Sequence, residues 1–154
     1  MSTRCRIDFV EKWTDNKGKA HEHRRSIYRH SDGYPDGVLP DLKEFITWNR
    51  GRNGDLEYMT ANFIYWSKRK MEEWLSRENN FKWDSEETQS DGNSWMKIGF
   101  GVCDPKCWHG DLEYYYEVSL EKGGITIKCF EMTLANGRER PNSKKPIKTE
   151  KVKI

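Results

Sequence analysis

Between Arg29 and Gly37 the chain presents a guanidinium (Arg29), an imidazole (His30), two carboxylates (Asp32 and Asp36) and a phenol (Tyr34). A titrating ring beside a carboxylate and a permanent cation suits recognition of a polar ligand, and loops between rigid elements are where such groups gather. A helix is expected soon after this loop, and the free N–H groups of a helix start favour phosphate or carboxylate. Arg29, His30, Asp32, Tyr34 and Asp36 therefore form a candidate ligand-binding set for an anionic, nucleotide-like small molecule, or for a protein partner. A catalytic alternative pairs His30 and Asp32 with His109 and Asp111 as the acid–base groups of a phosphodiester hydrolase. An architectural reading stands beside both. Asp32-Gly33 and Asp36-Gly37 are common turn dipeptides, and Pro35 fixes its own φ.

Three further clusters carry weaker chemistry. Cys103, Cys107 and His109 offer three zinc-type ligands, but a closed structural site needs a fourth and no second such pair occurs. A long turn nucleated by Asp104-Pro105 explains them as well, so no metal or cofactor is assigned. His21-Glu22-His23 sets two imidazoles on one side of a strand, which suits a divalent metal or simply an exposed edge. Tyr114-Tyr115-Tyr116 puts rings on both faces of a strand. Aromatic platforms stack nucleobases, yet Glu113 and Glu117 flank the outward ring and repel a phosphate backbone. Nucleophile-elbow, Walker, dinucleotide and zinc-protease signatures are absent.

The elements that must hold these groups follow from periodicity. Cys5, Ile7 and Phe9 alternate with Arg6 and Asp8, as in a half-buried strand, and Asp15 to Gly18 turns the chain into a second strand over 21–30. A short helix is expected near Pro40, with Leu42, Phe45 and Ile46 on one face. The spacing of Leu56, Met59, Phe63, Trp66 and Trp74 predicts a long helix over 55–76, with Asp55 as its N-cap. The polar stretch 84–94 reads as a mobile excursion. Strands are expected over 98–102, 112–120 and 125–129. The fold class is α+β: a single antiparallel sheet, made of an N-terminal hairpin plus a C-terminal meander, packed against one long and one short helix. Residues 1–136 would be one α+β domain, and 137–154 a basic, partly flexible C-terminal tail.

The string Tyr28-Arg29-His30-Ser31-Asp32-Gly33-Tyr34-Pro35, with a short helix following at Leu42, resembles a family of uncharacterised prokaryotic and phage proteins carrying Y-R-H-x-D-G-Y-P. The likeness extends loosely from the first strand to Tyr114. It implies kinship and a viral or mobile-element origin, hence a host-interaction or anti-defence role such as sequestering a nucleotide signal. No catalytic residue comes with it.

Composition narrows the class of partner. The 137–154 segment carries seven Lys/Arg against two Glu, which leaves 20 Lys/Arg against 23 Asp/Glu for the rest of the chain. The body is no nucleic-acid platform, and nucleic acid is a partner only through the basic tail. No apolar segment approaches the ~20 residues that span a bilayer, and the start lacks a secretory signal pattern. The expectation is a soluble cytoplasmic protein with free thiols and no membrane partner. A non-catalytic binding protein is the leading reading, and a homo-oligomer stays open.

Overall fold

The computed structural model describes residues 2–79, 99–106, 108–121, 123–135 and 138–154. The polar stretch 84–94 lies outside them. Among the described residues the architecture is α+β, a seven-stranded sheet with two helices. β1 (Cys5–Thr14) and β2 (Ala20–Arg29) form the expected hairpin. Its turn is held by Asp15, whose Oδ1 accepts from the N–H groups of Lys17 and Lys19.

α1 (Pro35–Trp48) starts earlier than Pro40 suggested. Pro35 enters the first turn, where its missing N–H has no partner to lose, and Asp36-Gly37 is helical rather than a turn. α2 (Leu56–Asn79) follows, with Asp55 accepting from the Tyr58 N–H through its carboxylate at 3.4 Å. Among the described residues no helix is long and apolar enough to cross a membrane.

The remaining strands are β3 (Phe100–Cys103), β4 (Tyr114–Glu121), β5 (Gly124–Ala135), β6 (Arg138–Pro141) and β7 (Lys148–Lys153). Their order is β3-β2-β1-β4-β5-β6, with β7 also on β5. The expected antiparallel meander is corrected here. β3 pairs with β2, not with β4, and β4 runs parallel to β1, with Cys5 opposite Tyr114 and Phe9 opposite Val118. The sheet is therefore mixed. Strands running the same way cannot be joined by a tight turn, so residues 104–113 must carry the chain across the sheet. Asp104-Pro105 begins this crossover and makes no hairpin turn. The 137–154 segment contributes two strands: β6 pairs with 132–135 of β5, and β7 pairs with 124–129.

The apolar core lies between the sheet and the helices. Cys5, Ile7, Phe9, Ile27, Tyr116 and Ile127 face Leu42, Phe45 and Ile46 of α1 and Met59, Phe63 and Trp66 of α2. Phe63 is edge-on to Phe9, Phe45 and Phe100 at centroid separations of 5.7, 5.0 and 6.0 Å. Such pairs add about 0.5–1.5 kcal/mol each to what area burial supplies.

Candidate functional site

The 29–37 loop is bolted to the start of β1. The Gly33 N–H donates to the Thr3 carbonyl at 2.9 Å, and the Gly33 carbonyl accepts from the Tyr116 hydroxyl at 2.8 Å. A Cβ on Gly33 would lie 2.8 Å from the Cys5 Cβ, so only glycine fits. Asp32 occupies the left-handed region at φ 52°, which short polar side chains tolerate best among non-glycine residues. Much of the Asp-Gly-Tyr-Pro string thus answers to backbone geometry.

From this anchored loop the candidate side chains diverge. Arg29 is buried on the helix side, donating to the Ser31 carbonyl and to Asp41 (2.9 Å), with its guanidinium over the Phe100 ring. With Asp32 it borders a cleft of about 300 Å³ that also takes in Trp66, Ser67, Lys70 and Trp74 of α2. Lys70 reaches Asp41 and Glu44 at 3.1 and 2.7 Å, which raises its pKa against the opposing effect of burial. Ser67 is 6 % exposed and its hydroxyl has no hydrogen-bond partner among the described residues, an unusual state for a buried polar group. Trp74, a residue 57 % exposed, borders the same cleft. Tyr34 and Asp36 face outward, Asp36 pairing with Lys148 of β7 at 3.0 Å.

His30 lies in a different group. Its ring meets that of Tyr28 at 6.1 Å, and the Tyr28 ring also packs against His109 at 4.2 Å. The Tyr28 hydroxyl donates to Asp111 Oδ2 at 3.0 Å, and Arg4 Nε stands 3.2 Å from the same oxygen. The 29–37 and 103–111 loops therefore do meet, through Tyr28. Burial, reinforced by Asp111, pushes the Tyr28 phenol up to about 12. Of the hydrolase set, His30, His109 and Asp111 share this cluster, whereas Asp32 belongs to the helix-side cleft.

Cys103 is partly exposed, and Cys107 lies outside the described residues. Among the described residues no three His, Cys, Asp or Glu side chains are placed to hold a metal. His21 and His23 both contact the Trp13 ring, at 5.3 and 4.5 Å, and His21 Nε2 lies 2.8 Å from Asp15 Oδ2. The core thiols are unreactive acids, since burial pushes Cys5 up to about 12 and Cys129 to about 11. No family model matches this chain, and no curated protein or solved structure is significantly similar to it.

The densest polar cluster sits on the helix-free face, and sequence reasoning passed over it. Arg6 is 1 % exposed and forks onto Asp8, 0 % exposed, at 2.7 and 3.0 Å. Asp8 Oδ2 also accepts from Arg24 (2.6 Å) and from the Tyr115 hydroxyl (3.2 Å). Arg24 bonds the Tyr115 hydroxyl in turn and reaches Glu117 at 3.3 Å. Burial acts to raise the Glu117 pKa, but Lys12 and Arg24 outweigh it and hold the carboxyl below its ordinary range. The crossover roofs this network, its Pro105 carbonyl accepting from Arg6 at 2.7 Å and Trp108 stacking on the guanidinium at 4.1 Å. Every charge here is matched, which marks a structural cluster that fixes the crossover. Its signal was the alternation of Arg6 and Asp8 with Cys5, Ile7 and Phe9, which reads equally as solvated.

Proposed function

We propose that the protein is a non-catalytic binding module whose cleft beside the 29–37 loop takes a nucleotide-like small molecule. The observation that carries this reading is the unbonded Ser67 hydroxyl in a cleft with an exposed indole, Trp74. A flat polar ring stacks on Trp74 and offers Ser67 the partner it lacks. Arg29 and Lys70 border the cleft as cations, but Asp32 and Asp41 balance them. That balance favours a singly phosphorylated nucleoside over a polyphosphate. The cleft volume, about 300 Å³, is also at the small end of ligand sites. The resemblance to phage proteins is the only support for an anti-defence role.

The test is calorimetric titration with the nucleoside monophosphates, run on the parent and on Trp74→Ala. Saturable binding that weakens about tenfold in the variant, with an unchanged melting temperature, is the expected result. Silence from every nucleotide removes the reading and directs attention to a protein partner at the exposed Tyr34. One observation favours a hydrolase as the second reading, the convergence of His30, His109 and Asp111 on Tyr28. Cleavage of bis(p-nitrophenyl) phosphate that disappears in His109→Ala would put it first.

A further inference from the structure

We propose that Asp32 makes the cleft beside the 29–37 loop selective for guanine, which rests on the reading of that cleft as a nucleotide site. Its two walls come from different elements. Residues three and four apart share a helix face, so Ser67, Lys70, Met71 and Trp74 of α2 form one wall. Arg29 and Asp32 of the loop form the other. A base lying on Trp74 turns its face to the helix and its edge to the loop.

The charges around the cleft are unequally committed. Arg29 donates to Asp41 at 2.9 Å, and Lys70 bridges Asp41 and Glu44 at 3.1 and 2.7 Å. Asp32 stands apart. It is exposed, and its carboxylate has no hydrogen-bond or ion-pair partner among the described residues. Its backbone sits at φ 52°, next to the Gly33 N–H that is fixed to the Thr3 carbonyl at 2.9 Å. The side chain is therefore carried on an anchored backbone, accessible, and not used as a cap.

An ionised carboxylate only accepts hydrogen bonds, and its two oxygens accept a pair side by side. On the base edge used in duplex pairing, guanine presents two adjacent donors, the ring N–H and the exocyclic amine. Adenine and cytosine set a ring acceptor beside their amine, and uracil flanks its one N–H with two carbonyls. Those acceptors are repelled by the carboxylate charge, whereas guanine makes two parallel charge-assisted bonds, the strong and geometrically demanding kind. A phosphate is also repelled by Asp32, so the base and not the phosphate lies against the loop.

Calorimetry of the full chain with guanosine, inosine and adenosine monophosphates tests this, on the parent and on Asp32→Asn. Asn tolerates the left-handed backbone as well as Asp does, so the melting temperature should not move. The guanosine nucleotide should bind the parent about tenfold more tightly than the adenosine one, with inosine, which lacks the exocyclic amine, between them. In Asp32→Asn guanosine binding should weaken about tenfold. Adenosine binding should lose nothing, because Asn sets an acceptor beside a donor and so matches the adenine edge. Asp32→Gly, which relieves the backbone and removes the carboxylate, is the second variant and should lose the guanosine preference likewise. Equal binding of guanosine and adenosine nucleotides by the parent, or a preference that survives in both variants, overturns the selectivity and leaves the nucleotide site standing. Silence from every nucleoside monophosphate overturns the site and the selectivity together.

Discussion

The two faces of the central strand are both buried and are built from opposite chemistry. On the helix side Cys5, Ile7 and Phe9 meet other apolar groups, and non-directional burial drives the packing. On the helix-free side Arg6 and Asp8 are equally sealed, but by a matched set of ion pairs beneath a ten-residue crossover. The first face tolerates any well-fitting apolar group. The second tolerates no unpartnered change, because a lone buried charge is left behind.

The apolar face should show the largest single loss. Phe63→Ala removes a fully buried ring that packs against those of Phe9, Phe45, Trp66 and Phe100, and about 3–5 kcal/mol of stability should go with it in chemical denaturation. A midpoint close to the parent would mean that the ring layer carries little of the stability.

The polar face should respond in a different pattern. Asp8→Ala strands Arg6 and Arg24 and should cost about 3 kcal/mol, whereas the double change Arg6→Met with Asp8→Leu should cost distinctly less. Equal losses would show the two faces to be governed by packing alone.

Gly33→Ala probes the joint between the loop and the sheet. Its new methyl would collide with Cys5, and a loss of about 1–3 kcal/mol should appear as a lowered thermal midpoint. An unaltered midpoint would free the loop from its architectural duty and strengthen a purely ligand-binding role for it.

The smallest effect belongs to the hairpin tip. The bond from His21 lowers the Asp15 pKa below its ordinary value of 3.8. A depressed carboxylate stabilises the fold above its unfolded pKa, and that contribution fades as pH falls through the folded value. Trp13 stacks on His21, so its fluorescence should report local loosening in acid. Asp15→Asn should remove this step, and a variant titrating like the parent would assign it elsewhere.

The hairpin and the long helix were legible because each has one apolar face with a clean period. The sheet's order was not. Alternation in β4 says which residues point inward but not which strand lies alongside, and Asp104-Pro105 opens a crossover as readily as a turn. The site was legible only in part. Arg29, His30 and Asp32 were singled out together, yet neighbours on an extended chain point to opposite faces, so Arg29 and His30 part company. Ser67 gave no signal at all, since an unsatisfied group is a property of its surroundings and not of its spacing.

The parallel pairing of β1 with β4 bears on how the chain is made. Cys5 leaves the ribosome more than a hundred residues before its partner Tyr114. Until then the β1–β2 hairpin has one long edge unpaired, and that edge carries Cys5, Ile7 and Phe9. Contacts so distant in sequence form slowly, and exposed strand edges invite association with other chains. During synthesis the nascent hairpin is thus the segment most in need of a chaperone, and slowing translation beyond β3 should raise the aggregated fraction.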